Sequence, residues 1–289
     1  MTPRLFVFGL GYSAAWLARE RRAAGWRVAG TTRDAAKAAA LAAAGIEAHL
    51  FDRARPLAAA ALAGTTHLLS SVPPDAEGDP VLDCHGAALA ALPLAWAGYL
   101  SSTGVYGDAG GAWVDETSPL RPSHERSRRR VVAEQAWLAS GLPAEVFRLA
   151  GIYGPGRSLV DEVLAGTARQ VVRPGQVFSR IHVADIASAL TAAMQRPRPG
   201  RILNLADDAP AAPAEVLLEA CRLVARTPPP PIAFEAAKAG MSAMALSFWA
   251  DNRRVGNARL KRELGYRLRY PSYREGLRAC RAAVPASPR

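Results

Sequence analysis

Short apolar runs bounded by turns alternate with longer, Ala-rich stretches of helical character through the first two-thirds of the chain. Such alternation predicts βαβ units and a parallel sheet. The apolar runs place strands at Arg4–Phe8, Arg27–Thr31, Glu47–Phe51, His67–Ser71, Ala97–Ser101 and Glu145–Leu149. Helices are predicted near Ser13–Ala24, Ala35–Ala44, Leu57–Leu62, Pro80–Leu92 and Ser127–Ser140. Asp79 before Pro80 makes a strong helix start, because the carboxylate accepts from free backbone N–H groups and Pro is tolerated at the first helical position. After Gly151 the rhythm loosens. Pro174-Gly175, Pro197 to Gly200 and Pro228 to Pro231 punctuate shorter elements, so the C-terminal part is expected to be smaller and richer in loops.

With 289 residues, half of them apolar, the chain exceeds the usual single-domain size and can bury a sizeable core. Its formal charge of +11 raises the question of a polyanionic partner. However, only Lys37, Lys238 and Lys261 are lysines, and the arginines are scattered, which reads as a compositional bias that also suits small anionic ligands. The dense run Arg126 to Arg130 reads by default as a solvated helix face. No specific nucleic acid and no membrane partner are expected, since basic and aromatic residues do not interleave and no apolar run approaches membrane-spanning length. Cys84, Cys221 and Cys280 are few and widely spaced, which fits a reducing cytoplasm. The five histidines show no metal-ligand spacing, so no metal is expected.

The segment Leu5 to Leu17 is an apolar strand, a Gly-x-Gly-x-x-Ala turn and a helix. Gly9 permits the tight turn, Gly11 lets the backbone approach a pyrophosphate, and Ala14 allows close helix packing; Tyr12 and Ser13 open the helix whose free N–H groups meet the phosphates. A second strand ends about 20 residues later, as a dinucleotide fingerprint requires. An NAD(H) site would place Asp or Glu there for the ribose hydroxyls, whereas this chain has Thr31-Thr32-Arg33, which suits the 2′-phosphate of NADP(H). Asp34 can take the acidic role if the turn is shifted by one residue. Asp52 is expected to face the adenine, and Ser71, Val72 and Pro73 to border the cofactor. The expected fold is therefore α/β, a Rossmann-type doubly wound parallel sheet in residues 1–155, to which 178–206 returns, with a smaller mixed substrate-binding part in 156–289.

The segment Tyr99-Leu100-Ser101-Ser102-Thr103-Gly104-Val105-Tyr106-Gly107 brings hydroxyls to the C-terminal end of a strand, where parallel sheets bind ligands. Together with Arg148 to Gly156, Arg180-Ile181-His182-Val183-Ala184-Asp185-Ile186 and Asp251-Asn252-Arg253-Arg254, it resembles the extended short-chain dehydrogenase/reductase family, the NAD(P)-dependent epimerase/dehydratase group. The resemblance implies that Ser102 polarises the substrate, the alternative being a simple strand-end cap. It also implies a Tyr and a Lys four apart on the next helix, followed after four residues by Glu. Glu134 fits that Glu, which puts Arg130 at the Lys position and Arg126 at the Tyr position. None of the seven tyrosines has Lys four residues downstream, so no shifted motif replaces it. Arg stays protonated and cannot shuttle a proton; Arg130 can still hold ribose hydroxyls or anions, and His124 is a candidate proton donor beside an exposed-loop alternative. Tyr106, Tyr153, Arg180 and His182 are candidates for the substrate cleft, although the resemblance gives the motifs of Tyr106 and Tyr153 a part in loop shape and a structural role stays open for His182; Arg253 is a further lining candidate, as is Trp249, for which packing is the default reading. The pattern resembles the atypical members that keep fold and cofactor site without the Tyr. It implies an NADP(H)-binding oxidoreductase or epimerase-like protein acting on a small polar, carbonyl or sugar-like substrate, or else a catalytically silent sensor or partner-binding protein. The family resemblance also allows a homodimer through Pro80–Leu92 and Ser127–Ser140.

Overall fold

The computed structural model describes residues 2–285, so Met1 and the last four residues of the expected C-terminal part lie outside the described residues. The first strand, β1 (Arg4–Phe8), is buried along its whole length, with Leu5 and Val7 packing to one face of the sheet and Phe6 and Phe8 to the other. Covers on both faces explain why the strand reads as a continuous apolar run. After β1 come α1 (Tyr12–Ala23), β2 (Arg27–Thr32), α2 (Ala35–Ala43), β3 (Glu47–Leu50), β4 (His67–Ser70), α3 (Pro80–Ala90), β5 (Trp96–Ser102) and α4 (Glu125–Ala139). The predicted strands and four of the five helices appear, with ends displaced by a residue or two. Leu57–Leu62 is the exception. It shortens to a 3₁₀ turn at Ala59–Leu62, since a segment of this length between Pro56 and Gly64 forms too few bonds to offset helix nucleation.

All seven strands of the main sheet run parallel, in the order Ile202–Leu205, Ala144–Leu149, β5, β4, β1, β2, β3. The strand order reverses between β1 and β4, and ligands of open α/β sheets bind in the crevice outside that switch point. Strand Ile202–Leu205 pairs with Ala144–Leu149 at the edge of this sheet, whereas Arg180–His182 lies outside it. One face is covered by α1 and the helix Val183–Gln195, through Leu10, Ala14, Leu17, Ile186 and Leu190. The other is covered by α3 and α4, through Val81, Leu89, Ala133 and Trp137. Asp79 caps α3 as its sequence position requires, accepting from the N–H groups of Val81 and Leu82 at 3.0 and 3.1 Å. Three short parallel pairings bind the later segments: Gly151–Tyr153 with Arg180–His182, Gln170–Val172 with Pro231–Ala233, and Trp113–Val114 with Arg254–Val255. The last reaches back to the loop after β5 and brings Asp251 to Arg253 over the sheet's C-terminal edge.

Candidate active site

The glycine turn is held from two sides. Gly9, at φ +83°, donates its N–H to Thr31 Oγ1 at 2.8 Å, and its carbonyl accepts from Ser71 Oγ at 2.6 Å. Leu10 N–H meets the Thr31 carbonyl at 2.7 Å. A methyl group on Gly9 would stand 3.1 Å from Ser71 Oγ and 3.3 Å from Val72. Gly11 is the N-cap of α1 and supplies no side chain, so the first-turn N–H groups are left for an incoming acceptor. The cradle, the switch point and the uncapped helix together fit a dinucleotide pyrophosphate. Ala14 is buried against the sheet and Ser13 nearly so. Tyr12 turns away from the turn, donating to the Pro155 carbonyl at 3.0 Å, and burial pushes its phenol up to about 12, so it stays neutral. The sequence offered no sign that Gly30, in the middle of β2, belongs to this assembly. A methyl group there would lie 2.5 Å from the Val7 carbonyl oxygen and 2.8 Å from Leu10.

Beyond β2, Asp34 is the N-cap of α2, accepting from Lys37 N–H at 3.1 Å, while Thr32 Oγ1 accepts from Asp34 N–H at 3.2 Å. Arg33 is exposed and has no carboxylate partner among the described residues. Asp52 is half-buried and paired with Arg55 at 3.2 Å. Val72 and the exposed Pro73 begin a loop fastened to the end of β3 by Arg53, which reaches Asp75 at 2.9 Å and Asp83 at 2.8 Å.

At the end of β5, Ser102 accepts from Gly104 N–H at 3.1 Å and Thr103 begins a 3₁₀ turn. Gly104 lies between two hydroxyls: a methyl group there would be 2.9 Å from Ser127 Oγ and 3.3 Å from Ser102 Oγ. Ser127, buried in the first turn of α4, is thus a neighbour of Ser102 that the sequence pattern did not single out. Arg130, half-buried, donates through one terminal nitrogen to Leu100 O at 2.8 Å and Tyr99 Oη at 2.9 Å, leaving Nε and the other terminal nitrogen without a partner among the described residues. Glu134 takes no part in the cleft. It is buried in an ion pair with Arg148 at 2.7 Å and accepts from Ser101 Oγ at 2.5 Å, which anchors α4 to the sheet. His124 is the N-cap residue of α4, with Nε2 3.9 Å from Asp251 Oδ1. The same carboxylate accepts from Ser123 Oγ at 2.7 Å and pairs with Arg253 at 2.9 Å. Arg126 reaches across to the helix Ala243–Ala250, where it lies over the Phe248 ring, 5.3 Å from its centroid.

Four candidate lining residues are packed instead, as the default reading of Trp249 and the open structural role of His182 allowed. Tyr106 is packed in the core, its hydroxyl shared between Asn204 at 2.7 Å and Arg148 at 3.0 Å, because a phenol this deep needs both partners. Tyr153 is buried under Gly276 with its hydroxyl towards Ser272 O. His182 is buried between Tyr153 and Tyr270, its Nδ1 accepting from Ala184 N–H at 3.2 Å as the N-cap of Val183–Gln195; burial and the Arg269 cation hold it down to about 4, so it is a neutral structural imidazole. Trp249 is buried against Phe178 and Phe234. Arg180, half-buried, uses one nitrogen for Phe178 O and Ala211 O and shares its surroundings with Asp207, whose carboxyl burial pushes up to about 7. Among the described residues no cluster of His, Cys, Asp or Glu has metal-binding geometry, and no helix is long and apolar enough to cross a membrane.

An open parallel sheet with an uncapped glycine turn at its switch point defines a dinucleotide-binding α/β protein. Residues 87–206 match the model of the NAD dependent epimerase/dehydratase family. The chain is 32% identical to protein YeeZ of Escherichia coli over 246 residues, covering 78% of this chain and 85% of that protein. A conserved protein of unknown function from Silicibacter pomeroyi DSS is 49% identical, with a TM-score of 0.90 over 97% of this chain and 99% of that one. The fold is shared with a dTDP-glucose 4,6-dehydratase from Bacillus anthracis solved in complex with NAD, at a TM-score of 0.74 and 16% identity over 98% of this chain and 96% of that one. The chain belongs to the NAD-dependent epimerase/dehydratase family, in the extended short-chain dehydrogenase/reductase group.

Proposed function

We propose that this protein is an NADP(H)-dependent oxidoreductase or epimerase-like enzyme that acts on a small polar carbonyl or sugar-like substrate without the family's Tyr. The observation that carries the reading is the state of Ser102. One of its lone pairs is taken by Gly104 N–H, which fixes the hydroxyl oxygen in place and leaves its proton, along with the second lone pair, available to a substrate oxygen. Its position at the C-terminal end of β5, next to β4 and with Ser127 close by, supports the reading, since ligands of parallel sheets bind at that end of the strands. When bound, the dinucleotide supplies hydride exchange with a substrate carbon.

The chain's own residues do the rest. Gly9, Gly11 and the first turn of α1 hold the pyrophosphate. Thr32 and Arg33 receive the 2′-phosphate: Arg33 has no carboxylate partner among the described residues, and Asp34 spends one of its carboxylate oxygens on the cap of α2. The two free faces of the Arg130 fork are available to ribose hydroxyls. With Arg at the Tyr position, proton exchange falls to His124, held near Asp251 at the start of α4, or to water.

The test is a titration of NADPH and NADH against the native protein and Arg33→Ala, followed by reduced-nicotinamide absorbance over a panel of ketones, aldehydes and sugar nucleotides. A charge-assisted contact at an exposed site predicts a loss of about tenfold in NADPH affinity and an unchanged NADH affinity. Equal affinity for the two cofactors would remove the 2′-phosphate assignment. Silence across the panel with cofactor bound would favour a sensor.

A further inference from the structure

The clearest uncompensated charge beside the reactive end is Arg126, and its surroundings define what it is for. Among the described residues neither Glu125 nor Asp251 pairs with it, and both are committed elsewhere. Glu125, its chain neighbour, is paired with Arg128 at 2.9 Å and Arg129 at 3.1 Å. Asp251 is paired with Arg253 and accepts from Ser123. Among the described residues Arg126 has only a 3.5 Å contact from one terminal nitrogen to Ser247 Oγ and the face of the Phe248 ring. A cation–π contact satisfies none of the guanidinium N–H donors, and with one terminal nitrogen alone touching Ser247 the others stay available to a planar anion, which a guanidinium can hold in two parallel hydrogen bonds. The α4 N-terminus beneath adds the positive end of a helix dipole.

The helix that Arg126 reaches, Ala243–Ala250, presents apolar side chains beside it. Phe248 is 52% exposed and Met244, one turn earlier on the helix Ala243–Ala250, 61%. Side chains of this size are seldom left in water side by side without a partner. An unpaired planar cation beside two exposed apolar side chains is complementary to a flat molecule with a carboxylate at one end.

We propose that Arg126, placed where the family's Tyr would stand, anchors the carboxylate of an aromatic or similarly flat carboxylic acid substrate, whose body lies on Phe248 and Met244 and whose reacting carbon is presented to Ser102. The proposal rests on the reading that the crevice beside Ser102 holds substrate. Arg126 is then a specificity-determining residue that turns a proton-transfer position into a substrate clamp.

The experiment is calorimetric titration of the full chain, saturated with NADP⁺ and separately without it, using benzoate, its neutral counterpart benzamide, acetate and inorganic phosphate as probes. Benzoate is expected to bind at least about tenfold more tightly than benzamide or acetate; Arg126→Ala is expected to lose about tenfold or more for benzoate and Arg126→Lys less, with NADPH affinity within about twofold of native. Phe248→Ala is expected to narrow the preference for benzoate over acetate while leaving the preference over benzamide. Indifference of benzoate to Arg126→Ala, or equal binding of benzoate and benzamide, would overturn the proposal, as would phosphate binding as tightly as benzoate. Failure to bind NADPH while the Arg126-dependent benzoate site persists would overturn the cofactor reading and leave this one standing.

Discussion

Gly30→Ala should be among the most damaging single-methyl changes in the nucleotide-binding half, although Gly30 lies outside the Gly-x-Gly-x-x-Ala signature. The new carbon would fall 2.5 Å from the Val7 carbonyl oxygen and within 2.8 to 2.9 Å of two Leu10 side-chain atoms. Neither neighbour can retreat cheaply. Val7 is paired in register with Gly30 across the β1–β2 ladder, and Leu10 is a core residue whose N–H is bonded to Thr31 O at 2.7 Å. Overpacking at an unyielding site costs about 1–3 kcal/mol, and loosening the Leu10 to Thr31 bond adds about 1 kcal/mol, for a total of about 3 kcal/mol. Gly9→Ala differs in kind. Its φ of +83° imposes about 1–2 kcal/mol of backbone strain, but the nearest atom, Ser71 Oγ at 3.1 Å, sits at the end of a rotatable side chain. Equilibrium urea unfolding followed by far-ultraviolet circular dichroism measures both. The expected order is Gly30→Ala well below Gly9→Ala, with Gly9→Ala below the native protein; in thermal melts the first should lose about 5 °C. If Gly30→Ala unfolds within about 0.5 kcal/mol of native, the close approach of β2 to the turn is not what holds the cradle, and the reasoning fails.

Asp79→Ala removes a helix cap and strands the Trp137 Nε1–H, which now donates to Asp79 Oδ2 at 2.9 Å; a loss of about 2–4 kcal/mol in urea unfolding is expected, and Asp79→Asn should recover the share due to the cap but not that due to Trp137, because its amide offers a single acceptor oxygen. Asp207 carries a folded-state value raised to about 7 by burial, so its contribution is fully present below the unfolded-state carboxylate range and is lost as pH rises through about 7. Asp207→Asn should therefore gain on the native protein by up to a few kcal/mol as unfolding is measured from pH 4 to pH 7.5, and parallel curves for the two proteins would refute the assignment.

The parts of this protein legible in the sequence are those set by neighbours along the chain. A buried parallel strand is a continuous apolar run, a tight turn under positive φ needs Gly9, and a helix start needs Asp79, so β1, the glycine turn, α1 and the entry to α3 all stand where the pattern puts them. The alternation of short apolar runs and helical stretches determined the parallel sheet for the same reason, and the missing Tyr is a fact of sequence outright. What tertiary structure alone decided are contacts between residues far apart in the chain. Local pattern does not distinguish a Tyr at the end of a turn that lines a cleft from one such as Tyr106, whose hydroxyl is taken up by Arg148 and Asn204. Nor does it reveal that Gly30 is required by Val7 and Leu10 across a ladder, that Ser127 shares the space around Gly104 with Ser102, or that Arg126 meets Phe248. Those meetings follow from strand order and helix placement, which bring together side chains separated by tens to more than a hundred residues.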